Sequence, residues 1–171
     1  MEKNIVLIGF MGAGKSTVGR SLAEKIKEPF MDIDAEIEKK EGRSIFEVFE
    51  TDSEEGFREI ESREIEKTLN LSGYVIACGG GAVLRPENVA ALKSNGIFVY
   101  LKADANVIEE RVGEGGRRPL LKSTNPRQAI DELLREREAK YSQVADVIID
   151  TSDLEAEQVV DKVMDAIDAY R

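Results

Sequence analysis

Residues 9–16 read Gly-Phe-Met-Gly-Ala-Gly-Lys-Ser, the pattern G-x-x-x-x-G-K-[ST], directly after an apolar run from Ile5 to Ile8 and directly before a helical pattern. This loop constrains the fold more than any other feature, because it needs a strand to deliver it and a helix to receive it. Its glycines let the backbone curl until successive N–H groups point at an anion. Lys15 adds a charge for the terminal phosphates of a nucleotide, and Ser16 offers a hydroxyl to Mg2+. The following helix turns its positive end toward the same anion. Gly12, Ala13, Gly14, Lys15, Ser16 and Thr17 are therefore the expected nucleotide contacts. A ligand-free turn has no need of Lys and Ser at those offsets.

Beyond the loop, apolar runs alternate with helical patterns, which predicts an α/β fold on a parallel sheet. Strands are expected over residues 4–9, 29–34, 74–78, 97–101 and 144–149. Helices are expected over 15–27, 53–69, 126–141 and 153–170, with others starting at Ser44, Pro86 and Asp104. Ser44 with Glu47 is a capping-box pattern, and Pro86 suits a first helical turn. Residues 113–125 have no period and are rich in Gly, Arg and Pro, which predicts a mobile loop.

Bulk properties narrow the function. A chain of 171 residues holds one domain with one core, so residues 1–171 are read as a single unit. The formal net charge of −10 argues against a nucleic-acid partner. The lone cysteine, Cys78, excludes an intrachain disulfide, and the absence of histidine excludes His bases and His metal ligands. No apolar stretch approaches membrane-span length. A cytoplasmic monomer working on small molecules is expected, with no membrane partner.

The phosphate loop alone leaves open a kinase, a GTPase switch or a motor. No N-K-x-D guanine-reading motif is present, and the third strand ends in Cys78-Gly79-Gly80-Gly81 rather than in Asp. Asp32 and Asp34 therefore become the candidate acids, at the end of the second strand on the ligand edge of the sheet. Two acids there could also serve simply to cap the next helix.

The phosphate loop, Asp32-Ile33-Asp34, Phe57-Arg58 with Glu61, Gly79-Gly80-Gly81, Arg118-Pro119-Leu120-Leu121, and Arg137 four residues before Tyr141 together resemble the shikimate kinase family along nearly the whole chain. The order and spacing of these motifs are specific, although each alone is weak. Two departures touch no proposed ligand contact: the family commonly has Gly where this chain has Ser53, and Pro where it has Ala139.

The resemblance implies a three-layer α/β/α fold like that of nucleoside monophosphate kinases. It further implies a five-stranded parallel sheet, a substrate-binding helical region near residues 33–61 and a lid near 113–125. The implied reaction transfers the γ-phosphoryl group of Mg·ATP to shikimate, giving shikimate 3-phosphate in chorismate and aromatic amino-acid biosynthesis. In this pattern Arg58, Gly79, Gly80, Gly81 and Arg137 hold the substrate, the arginines by bidentate recognition of its carboxylate. Glu61 sits one turn from Arg58, placed to hold that guanidinium. Asp34 accepts the proton of the attacking hydroxyl. Because an ordinary Asp has a pKa of about 3.9, its role must be to orient that hydroxyl and take the proton late. Asp32 holds a water on Mg2+, with Ser16 as the direct ligand.

Arg111 is implied to stack on adenine, and Asp150-Thr151-Ser152 to line the base. Arg118 is the implied lid arginine on the transferring phosphate, with Arg117 as its neighbour. Residues 111–140 hold eight Lys/Arg against five Asp/Glu, a basic island in an acidic chain. Cys78 reads as a packing residue. Other readings remain: a different small-molecule kinase acting on a sugar acid, or a nucleotide-binding regulatory module that phosphorylates no metabolite.

Overall fold

The computed structural model describes residues 3–114 and 125–170. Strand β1 (Asn4–Ile8) is buried along its whole length, as expected of a central parallel strand that has no solvent face. It pairs in parallel with β3 (Val75–Ala77) on one side and β4 (Gly96–Lys102) on the other. Outside these lie β2 (Phe30–Asp32) and β5 (Val147–Asp150), giving a five-stranded parallel sheet in the order β2-β3-β1-β4-β5. All carboxyl ends therefore share one edge. The order reverses at β1, which opens a crevice at that edge. Leu7, Ala77 and Asp32 are level across the register, so the loops leaving β1, β2 and β3 start at one height.

Helix α1 (Lys15–Ile26) follows the phosphate loop, with Gly14 at its N-cap in a left-handed conformation, φ 90°. It packs beside α7 (Ala156–Ile167), which buries Val159, Val160, Val163 and Ile167 as one stripe at helical spacing. Burying each such side chain contributes about 1.5–3 kcal/mol. Helices α5 (Ala105–Glu114) and α6 (Pro126–Val144) pack together, as do α3 (Ile45–Lys67) and α4 (Pro86–Lys93). Pro86 takes the first turn of α4, as its fixed φ favours.

Several boundaries differ from the sequence reading. First, β2 stops at Asp32, because its carboxylate accepts from the N–H groups of Asp34 (3.1 Å) and Ala35 (3.3 Å) and caps α2 (Ile33–Glu41). Asp34 thus sits in a helical first turn, not on a strand. Second, the two helices expected around Ser53 are one helix, α3, interrupted where Ser53 takes φ 65° and ψ 173°. The Ser44–Glu47 capping box does form at its start, with Glu47 Oε2 2.7 Å from Ser44 N.

Third, Val144 ends α6 instead of opening β5. Ile130, Arg137 and Tyr141 form the buried stripe of α6, and Val144 continues it one turn on. Fourth, α7 begins at Ala156 because Glu155 and Gln158 form their own capping box. Gly113 belongs to α5; residues 115–124, including most of the expected lid, lie outside the described residues.

Candidate active site

The phosphate loop leaves the carboxyl end of β1 and is shaped by glycine. Gly9 has φ +143°, and a Cβ there would lie 2.5 Å from the Leu101 carbonyl oxygen, so no other residue fits. Lys15 is buried, and its Nζ donates to the carbonyls of Gly9 (2.9 Å) and Phe10 (2.8 Å). The ammonium is thus held across its own loop by weak neutral acceptors that a phosphate can replace. Ser16 lies exposed in the first turn of α1.

Beside the loop is a cavity of about 600 Å³, of nucleoside size. Ala13, Gly14 and Thr17 form one wall, Val107 and Arg111 of α5 another, and Thr151 and Ser152 a third. Arg111 Nη1 reaches to 3.5 Å from the Gly12 carbonyl. Thr151 is pinned, its N–H and hydroxyl both meeting the Lys102 carbonyl at 2.8 and 3.0 Å. Asp150 does not line the cavity. It accepts from the Ser152 N–H (3.0 Å) and hydroxyl (2.7 Å), which hold its carboxyl below the usual range and fix the turn. Leu154 and Val159 add an apolar lining that the sequence reading did not identify.

Across Met11 lies a second, tighter cavity of about 70 Å³, where Asp34, Arg58, Glu61, Gly79, Gly80, Gly81 and Arg137 converge from four segments of the chain. Every acceptor-site residue read from the sequence is brought together here. Its volume is well below that of an ordinary ligand pocket. Ile45 and Phe49, on the part of α3 before the Ser53 break, form one wall. The Phe49 ring leans on Phe57, with centroids 4.5 Å apart. The i,i+4 spacing of Ile45 and Phe49 was the available sequence signal, but it reads equally well as core.

The triple glycine has a steric cause. A Cβ on Gly79 would lie 2.6 Å from Glu61 Oε1 and 2.9 Å from Asp34 Oδ1, and one on Gly81 would lie 2.2 Å from Arg58 Nη2. Glycine is what allows two carboxylates and a guanidinium to crowd this turn.

Arg58 is buried and donates from Nη1 to Glu61 Oε2 at 2.7 Å, while Glu61 is wholly buried. Among the described residues Arg58 Nε and Glu61 Oε1 have no hydrogen-bond partner. Burial pushes the Glu61 carboxyl upward, and Arg58 and Arg137 pull it back only in part. Arg137 is 4 % exposed, and among the described residues no carboxylate pairs with it. A desolvated cation facing a cavity is a site for an anion.

Cys78 is buried and its thiol pushed strongly up by desolvation, so it packs rather than attacks. Among the described residues no group of three or more Cys, Asp or Glu could hold a metal by itself. Ser16 and Asp32 supply hard oxygen donors, which suit a Mg2+ ion carried mainly by phosphate oxygens and water. Arg117 and Arg118 lie outside the described residues.

The shikimate kinase family model matches residues 11–168. The shikimate kinase of Thioalkalivibrio sulfidiphilus is 45 % identical over 160 residues, covering 94 % of this chain and 84 % of its own. That of Psychromonas ingrahamii is 44 % identical over 167 residues and 98 % of both chains. The solved shikimate kinase of Acinetobacter baumannii in complex with shikimate is 38 % identical and superposes with a TM-score of 0.95, covering 100 % of this chain and 96 % of its own.

Proposed function

The chain belongs to the shikimate kinase family, and on that premise we infer that it transfers a phosphoryl group from ATP to a hydroxyl of shikimate. The observation that carries this reading is the pair of buried guanidiniums, Arg58 and Arg137, beside Asp34 in one small cavity. Arg58 is held by Glu61; Arg137 has no carboxylate partner among the described residues. A small acid with ring hydroxyls fits that polarity, its carboxylate between the arginines and one hydroxyl at Asp34.

In this reading the nucleoside occupies the cavity between Arg111 and Ser152, and its phosphates replace the carbonyls on Lys15. Asp34 orients the attacking hydroxyl and receives its proton as the oxygen bonds to phosphorus and ADP departs. Mg2+ would be held by Ser16 and, through water, by Asp32, neutralising phosphate charge. Arg118 would close on the transferring phosphate from the segment 113–125. The product would be shikimate 3-phosphate, on the route to chorismate.

A coupled assay of ADP release tests the substrate. Release should depend on shikimate and fail with gluconate or other sugar acids. Release that needs no acceptor would instead indicate a regulatory ATPase module.

A further inference from the structure

Tyr141 has no role in the chemistry described so far, yet it is 1 % exposed and sits one helical turn after Arg137 on the buried stripe of α6. Its ring leans on Tyr100 of β4, centroids 5.1 Å apart and planes at 32°. Its hydroxyl donates to the carbonyl oxygen of Gly80.

The glycine turn shows why that bond matters. The Gly79 carbonyl accepts from Ala82 N–H (3.1 Å) and the Gly81 carbonyl from Leu84 N–H (3.0 Å), so the backbone fixes two of the three peptides by itself. The Gly80 carbonyl meets only the Tyr141 hydroxyl among the described residues. In a trans peptide the carbonyl and the following N–H point in opposite directions. Holding the Gly80 oxygen toward Tyr141 therefore aims the Gly81 N–H away from it. Glycine has little of its own to resist rotation of that peptide.

The turn also abuts the phosphate loop, since a Cβ on Gly80 would lie 3.3 Å from Met11 N and 3.7 Å from the Tyr141 hydroxyl oxygen. Among the described residues no protein acceptor meets the N–H of Gly80 or Gly81.

We propose that Tyr141 is a positioning residue of the acceptor site, its hydroxyl locking the Gly80–Gly81 peptide so that the turn presents its N–H groups to the bound hydroxy acid. The inference rests on reading this cavity as the shikimate site. Burial pushes the phenol up to about 12, so it remains a donor throughout the neutral range, even with the charge of Arg137 and its hydrogen bond to the hydroxyl pulling the other way. Arg137 and Tyr141 thus serve one ligand from one face of α6: the arginine through charge, the tyrosine through the turn.

The competing role is plain core packing against Tyr100, and Tyr141→Phe separates the two because it keeps the ring. Initial rates should show the shikimate KM raised about tenfold, the equivalent of one lost hydrogen bond, with the ATP KM and kcat within about twofold. Tyr100→Phe should leave the shikimate KM unchanged. An unchanged shikimate KM in Tyr141→Phe, a parallel rise in both KM values, or an equal effect of Tyr100→Phe overturns the proposal while shikimate turnover by the wild type keeps the function intact. A wild type that releases no ADP with shikimate overturns the substrate assignment and this inference with it.

Discussion

The carboxylate of Asp32 accepts a hydrogen bond from the backbone N–H of Asp34, 3.1 Å away. That contact divides two acids that look equivalent in sequence. Asp32 ends β2 and caps α2, whereas Asp34 stands in the first turn of α2 and faces the cavity that holds Arg58 and Arg137. Their variants should therefore fail differently. Asp34→Asn should bind shikimate and lose about a hundredfold or more in kcat. Asp32→Ala should lose about 1 kcal/mol of stability through the missing cap, while Asp32→Asn keeps the cap. If Asp32→Asn also turns over normally at low Mg2+, Asp32 has no part in holding the metal.

The two arginines should also separate. Arg137→Ala removes a cation that has no carboxylate partner among the described residues, so it should raise the shikimate KM strongly with little change in melting temperature. Arg58→Ala strands the wholly buried Glu61, and breaking a buried pair costs about 3–5 kcal/mol. Both should leave the ATP KM nearly unchanged. The methyl ester of shikimate should bind the wild type poorly; equal binding of ester and acid would remove the carboxylate from the argument.

The proposed role of Arg118 on the transferring phosphate is tested by function. Arg118→Ala should lower kcat by about two orders of magnitude or more, as loss of a charge on the transferring phosphate does, and Arg117→Ala should be milder. Amide exchange across 113–125 should slow when nucleotide and shikimate bind together. Normal turnover by Arg118→Ala with exchange equal in the free and ternary states would rule out the lid mechanism.

How far the sequence revealed this site depends on how local each signal is. The phosphate loop was legible because eight consecutive residues carry both its shape and its charge. The strands were legible as apolar runs; the end of β2 was not, since a cap is a side-chain choice that periodicity does not record. Arg58 and Arg137 read as surface arginines on charged helices until the family resemblance was added, because their burial is tertiary. Tyr141 was visible only as a marker of spacing, and its partner Gly80 lies 61 residues earlier in the chain. The crowding that explains Gly79 and Gly81 comes from side chains on α2 and α3, which no local pattern places there.

Glu61 gives a pH signature. Burial raises its carboxyl in the folded state, so the folded chain holds that proton more tightly than the unfolded chain does. Its contribution to stability is full below the ordinary carboxylate value of about 4.3. It is lost as the pH rises through the raised folded value and is flat above it. Glu61→Gln removes this slope, because the amide stays neutral at every pH. The unfolding free energy of the wild type minus that of Glu61→Gln should therefore fall with rising pH. A difference that grows with pH would mean that Arg58 holds Glu61 below its ordinary value.

Ser53 holds a backbone conformation at a structural price. Its φ of 65° and ψ of 173° lie in a region that essentially only glycine occupies, and holding another residue there costs about 1–3 kcal/mol. Partial compensation comes from its hydroxyl, which accepts from Gly56 N–H at 3.4 Å and caps the second part of α3. Ser53→Gly relieves the strain, gives up a few tenths of a kcal/mol of capping and adds about 0.4–1 kcal/mol of unfolded-chain entropy. The strain term is the largest, so Ser53→Gly should stabilise the protein by about 1 kcal/mol, or about 2–4 °C in melting temperature for a chain of this size. Ser53→Ala keeps the strain and loses the cap, so it should melt below the wild type. The break also separates Ile45 and Phe49, on one wall of the acceptor cavity, from Arg58 on the other. Relief of strain at that joint should therefore change the shikimate KM and leave the ATP KM alone. A Ser53→Gly variant that melts below the wild type would show that the backbone at this position is not strained and that the serine cap is what holds the joint.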